Sequence, residues 1–102
     1  MKKIVIIIVS IATIVACGGN KSNSSSSSVD GAKIYKLNCV LCHGDDGKLG
    51  LNDSKDLTLT NMTLDERIAI IRNGKNAMTG FGNLLKEEEI RAVAEYTLMM
   101  RQ

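Results

Sequence analysis

The chain has 102 residues, with 13 basic and 11 acidic side chains for a formal charge of +2, three cysteines, one histidine, no proline, no tryptophan and 3% aromatic residues. That length leaves room for one domain. A charge so close to neutral excludes strong steering towards nucleic acid or an acidic partner and leaves only local patches to consider.

Met1-Lys2-Lys3 is a positive n-region, and Ile4 to Ala16 is an apolar run of Ile, Val and Ala relieved only by Ser10 and Thr13. This pattern predicts a cleaved secretory signal over residues 1–16. The run is well short of the roughly 20 residues that a membrane span requires. Ile14-Val15-Ala16-Cys17 resembles the lipobox of bacterial lipoproteins, which implies that the Cys17 thiol receives a diacylglycerol and becomes the mature N-terminus. The competing reading is an ordinary signal that happens to contain a Cys. Loss of Lys2 and Lys3 would leave eleven residues of each sign and a neutral mature chain. Gly18 to Ser28 is a low-complexity stretch of Gly, Asn, Lys and Ser that cannot bury apolar surface. Residues 17–28 are therefore expected to be a lipidated, flexible tether with a root-mean-square reach of roughly 18 Å, or a passive spacer.

Residues 29–102 form the remaining domain, a size at which an apolar core alone is marginal and a staple is expected. Asp30 suits the N-cap of a helix running to about Cys39, with Gly31, Tyr35 and Cys39 spaced by four along one face. Cys39-Val40-Leu41-Cys42-His43 then spells C-x-x-C-H, which reads as a covalent haem attachment site. Two thiols one turn apart can add across the two vinyl groups of one haem, and the imidazole of His43 can reach the iron as proximal ligand. Three rivals use the same residues. A thioredoxin-like dithiol needs a βαβ frame that is missing here. A tetrahedral zinc site is one ligand short. A chance pair of small apolar cysteines in a helix needs no cofactor at all. With Cys39 and Cys42 on haem and Cys17 on lipid, the odd cysteine count leaves no free thiol.

Further along, Thr63-Leu64-Asp65-Glu66 fits a capping box, and Leu64, Ile68 and Ile71 recur at helical spacing until Asn73-Gly74 stops the helix. Asn73 to Gly82 is an irregular, Gly-rich loop containing Met78. A third helix, from about Glu87 to Met100, puts Ile90, Val93, Ala94 and Thr97 on one stripe with Tyr96 beside it. Glu87, Glu88 and Glu89 favour its N-terminus through the helix dipole, while Lys86 is a poor cap. No β-hairpin signal competes, so the predicted class is all-α.

From about Val29 to Gln102 the chain resembles the small single-haem cytochromes c of class I, with a helix leading into C-x-x-C-H, a central helix, a Met-bearing loop and a C-terminal helix. In that family a Gly and an aromatic, each four residues apart ahead of the first haem Cys, pack against an apolar residue and a Tyr three apart on the last helix. Gly31 and Tyr35 match the first pair, Val93 and Tyr96 the second. The resemblance implies a class I cytochrome c-like fold, three main helices around one covalently bound haem c.

His43 is the single histidine, which excludes bis-histidine ligation, and a soft thioether suits an electron carrier because it favours the reduced iron. Met99 and Met100 lie near the end of the last helix, where Met is usually a gap-filler, and Met62 abuts the Thr63 cap. Met78 sits in a loop able to wrap the haem face opposite His43. The resemblance favours Met78 as distal ligand, since the family's axial Met is preceded by Gly and followed three residues on by Phe; Met62 is the competitor. Two departures stand out. Family members commonly carry Pro directly after the axial Met and another Pro beyond C-x-x-C-H, next to a carbonyl that accepts from the proximal imidazole. Here Thr79 holds the first position, a carbonyl near Lys55 to Leu57 must orient His43, and the Met–iron bond is expected to be more labile than usual.

An iron filled on both sides binds no substrate. The resemblance thus implies a single-electron carrier, not an enzyme, whose partners are redox proteins, and the signal puts it on the periplasmic or exterior face of a bacterial membrane, anchored through Cys17. Lys33, Lys36, Lys48 and Lys75 are either a docking rim or plain solvated surface. The alternative is a haem protein with an open sixth site, a gas or peroxide sensor or catalyst, against which the lack of a second His as distal acid–base group counts.

Overall fold

The structure, a computed structural model, describes residues 29–102. The signal, Cys17 and the tether lie outside the described residues. Four α-helices follow one another: α1 (Gly31–Asn38), α2 (Val40–His43), α3 (Leu64–Asn73) and α4 (Glu87–Met99), with a 3₁₀ turn at Leu51–Asp53. The class is all-α, as the sequence predicts.

Each helix starts for a local reason. The Asp30 carboxylate accepts from the Lys33 N–H at 3.2 Å and caps α1. At the head of α3, Thr63 Oγ1 accepts from Glu66 N at 3.2 Å while Glu66 Oε2 accepts from Thr63 N at 2.7 Å, completing the expected capping box. Gly74, at φ +75°, ends α3 and donates its N–H to Ile70 O. At α4 only half a box forms: Glu89 Oε2 accepts from Lys86 N at 2.7 Å, but the Lys86 ammonium has no lone pair with which to return the bond. The separate turn α2 is an addition to the sequence reading. Cys39 stays in the right-handed region (φ −116°, ψ −29°), so the chain resumes helical bonding at once and carries the C-x-x-C-H segment as one further turn.

α1 and α4 cross at Gly31. A Cβ there would collide with the Ala92 carbonyl, so the backbones meet only because the position is Gly. One turn on, the Tyr35 and Tyr96 rings stack at 5.2 Å between centroids and tilt by 53°. The buried apolar core is Ile34 and Tyr35 of α1, Ile71 of α3, and Ile90, Val93 and Ala94 of α4. The α4 stripe thus lies where the spacing put it, and Thr97 is buried with it. On α3 the reading was incomplete. Leu64 and Ile68 are half-buried, and the buried partner of Ile71 is Arg67. Its guanidinium donates to Thr60 Oγ1 at 2.7 Å, Thr60 O at 3.4 Å and Met62 O at 3.3 Å, tying the incoming segment to the helix.

Candidate functional site

Cys39 and Cys42 lie three residues apart on the turn that follows α1, both half-buried and both free thiols. The turn is set by backbone bonds from Cys42 N and His43 N to Cys39 O, at 3.3 and 3.0 Å. Burial, and after it the neighbouring Cys42, push the Cys39 thiol up to about 11. A nucleophilic redox thiol needs the opposite shift, so the burial of Cys39 disfavours the dithiol reading.

His43 is buried, and its Nδ1 lies 3.2 Å from Lys55 O. A carbonyl can only accept, so Nδ1 carries the proton and the lone pair is left on Nε2, the form of imidazole that ligates a metal. Among the described residues no protein group hydrogen-bonds that Nε2. The carbonyl needed near Lys55 to Leu57 is therefore supplied at Lys55, without proline. Around the imidazole the main chain is also held: Leu49 N donates to His43 O at 3.0 Å, and the Tyr35 hydroxyl donates to Gly44 O at 2.6 Å. Burial, with like-signed neighbours such as Cys39, raises the Tyr35 phenol above its ordinary pKa, so it stays a donor at any physiological pH.

Met78 closes a tight turn with Lys75, each N–H bonded to the other's carbonyl at 2.9 and 3.2 Å. It is half-buried and packs against the same core cluster as Cys39. Met62 is half-buried outside that cluster, with its carbonyl taken by Arg67. Met99 is 75% exposed, and Met100 packs near Gly47 and Leu57, in the segment that follows His43. The structure thus brings Cys39 and Met78 onto one core and leaves Met62 off it. Lys33, Lys36, Lys48 and Lys75 are all exposed.

The residues present fit a haem. Two unpaired thiols stand one turn apart beside an imidazole with a free Nε2, and a thioether leans on the same core. Leu41, Leu49, Leu51 and Leu59, in and after the C-x-x-C-H segment, are 45–79% exposed, as are Leu37, Leu84 and Met99, and a large flat apolar group is one way to cover such surface. Sequence reasoning placed the carbonyl that orients His43 within Lys55 to Leu57, where Lys55 supplies it, but missed the Tyr35 hydroxyl's bond to Gly44 and the burial of Arg67. Only the last left a signal, since Arg67 falls between Leu64 and Ile71 on the helical stripe.

No helix among the described residues is long and apolar enough to cross a membrane. Residues 28–96 match the family model described as cytochrome C oxidase, cbb3-type, subunit III. The chain is 42% identical over 76 residues to cytochrome c6 of Anabaena variabilis, covering 70% of this chain and 88% of that one. It is 39% identical over 80 residues to cytochrome c6 of a Nostoc species, covering 72% and 71%. Among solved structures, the KustC0563 c-type cytochrome superposes with a TM-score of 0.64 at 25% identity, over 72% of this chain and all of that one. Cytochrome c6C from Synechococcus sp. PCC 7002 superposes with a TM-score of 0.62 at 29% identity, over 71% of this chain and 94% of that one.

Proposed function

The chain belongs to the small class I c-type cytochromes, electron carriers with one covalently attached haem c, and from that premise we propose that Cys39 and Cys42 hold the haem, that His43 and Met78 are its axial ligands, and that lipidated Cys17 tethers the carrier to the outer face of a bacterial membrane. The bound haem supplies a one-electron couple; the chain's residues decide where it sits and what reaches it. Cys39 and Cys42 fix it through thioethers. His43 offers Nε2 while the Lys55 carbonyl keeps Nδ1 protonated and the ring oriented. Met78 would offer its sulfur to the iron from a turn packed on the protein core, and a soft thioether there would favour the reduced state and leave no site for small molecules.

The observation that carries this reading is the bond from His43 Nδ1 to Lys55 O, because it leaves Nε2 of the chain's single histidine, beside two free thiols, with a lone pair and no protein partner among the described residues. Residues 1–16 act as the signal and 17–28 as the tether, supported by the lipobox-like Ile14 to Cys17. The partners are membrane redox complexes or other cytochromes; the matching family model is described as an oxidase subunit, which makes a membrane oxidase the first acceptor to test.

The test is the intact mass of the mature protein from its native membrane. The expected mass is that of residues 17–102 plus one haem and one diacylglycerol. Haem without lipid removes the tether, and a mass with neither removes the whole reading. An oxidised spectrum with a sulfur-to-iron charge-transfer band supports the carrier; a high-spin spectrum with rapid carbon monoxide binding supports the open-site sensor or catalyst instead.

A further inference from the structure

Thr79 follows Met78 directly, where a proline would have stiffened the chain, yet the segment around Met78 is held from both sides. After Gly74 the chain reverses through the Lys75–Met78 turn with Asn76 in the left-handed region at φ +52°. The returning segment then lies along the last turn of α3: Phe81 N donates to Ile71 O at 2.8 Å and Gly82 N to Arg72 O at 3.0 Å. Those carbonyls are among the four that any helix leaves unpaired at its C-terminus, so the loop and the helix end satisfy each other. The returning segment also has no room for a side chain at Gly80, where a Cβ would stand 2.6 Å from Asn73 C and 2.8 Å from Arg72 O. Over the outside runs the Arg72 side chain. Its Cγ comes within 3.1 Å of where a Cβ of Gly82 would be, and its guanidinium forks onto Glu87, the first residue of α4, with Nε to Oε1 at 2.8 Å and Nη2 to Oε2 at 2.5 Å.

We propose that Gly80 and the Arg72–Glu87 strap are positioning residues for the distal ligand, clamping the Met78 turn between α3 and α4 in place of the missing proline. The proposal rests on Met78 being that ligand. It reverses the expectation of a labile Met–iron bond, because the stiffness that the sequence lacks at position 79 is supplied by two backbone bonds, a backbone contact with no room for a side chain and a forked ion pair. Gly80 dominates. The ion pair is solvent-exposed, and exposed pairs contribute little individually.

The experiment uses the mature holoprotein, oxidised, and reads the sulfur-to-iron charge-transfer band together with the rate of cyanide binding to the iron. Gly80→Ala is expected to weaken the band and to speed cyanide binding about tenfold or more, the scale of an overpacked contact. Arg72→Met, which keeps the stem over Gly82 but loses the fork, and Glu87→Gln should each speed it about two- to threefold, as an exposed pair allows. Two controls separate positioning from general weakening. Glu95→Gln breaks the other exposed pair of α4, Arg91 with Glu95, and leaves the cyanide rate unchanged. Gly31→Ala overpacks the crossing of α1 and α4 and lowers the unfolding midpoint without loss of the band. A Gly80→Ala protein with wild-type band and cyanide rate overturns the proposal, as does a cyanide rate that follows the unfolding midpoint equally in Gly80→Ala and Gly31→Ala. If Gly80→Ala does not mature, the Arg72 and Glu87 variants decide by the same criterion. A wild-type protein without the band overturns Met78 ligation itself, and the clamp with it.

Discussion

At the scale of single residues, the main chain does much of the work that the family assigns to proline. Lys55 orients His43 with its carbonyl, so any residue that keeps the backbone in place could serve, and that is how a chain without proline retains the bond. Tyr35 adds a second hold, because its ring belongs to the core while its hydroxyl reaches Gly44, the residue next to His43. Tyr35→Phe keeps the ring and drops the hydroxyl. It should cost about 1 kcal/mol of stability, the net value of one hydrogen bond, read as a lower urea midpoint with the Met78 sulfur band intact. On the proposed assignment of Met78 as distal ligand, Met78→Ala should abolish that band and lower the reduction potential, since a soft ligand to the reduced iron would be lost. If the spectrum survives the substitution, Met78 is not the ligand and Met62 becomes the candidate.

The helices test a different kind of inference, since their ends are written in local chemistry. Thr63→Ala removes the cap of α3 and should destabilise by about 1 kcal/mol, measured by chemical denaturation. Acid should act on the same contacts. The Thr63 N–H and then its hydroxyl hold the Glu66 carboxyl below its ordinary pKa, the Thr58 hydroxyl and N–H do so for Asp56, and Arg72 does so for Glu87. As pH falls the unfolded chain binds protons at these carboxylates before the folded one does. Their stabilisation is therefore full above the ordinary carboxylate range of about 4 and is lost as pH drops through the folded values. The melting temperature should be level from about pH 7 to 5 and decline below, and Glu66→Gln should remove part of that decline. The three main helices were legible because a cap, a spacing and a Gly stop are all sequence-local. The C-x-x-C-H residues stand out as candidates because the proposed chemistry needs one fixed spacing. What escaped was carried by groups that every residue has, or that deny their usual place. The Gly44 carbonyl that Tyr35 reaches has no side-chain signature, the Gly80 contact depends on where α3 ends in space, and a charged residue such as Arg67 reads as solvent-facing until its partners, two carbonyls and a hydroxyl, are known.

At the level of the domain the decisive fact is how little apolar protein is fully buried among the described residues. Six apolar side chains from three helices make the core, while Leu41, Leu49, Leu51 and Leu59 in and after the C-x-x-C-H turn stay open to solvent. A domain of this size buries only about 60% of the surface that its unfolded chain exposes, which leaves little surplus over chain entropy. The covalent haem is thus as much a part of the core as any side chain, and attachment and folding should be one event. Replacing both Cys39 and Cys42 by Ala should give a colourless polypeptide with little helix by far-UV circular dichroism and rapid proteolysis, because no thioether then holds the group in place. His43 and Met78 remain in that variant, so added free haem should recover part of the helix signal, increasingly with haem concentration, as mass action requires of a ligand that binds only the folded state. Removing His43 as well should end the recovery. A double-alanine protein that is helical and protease-resistant without haem would mean that the protein-only core suffices, and the uncovered leucines would then need another cover.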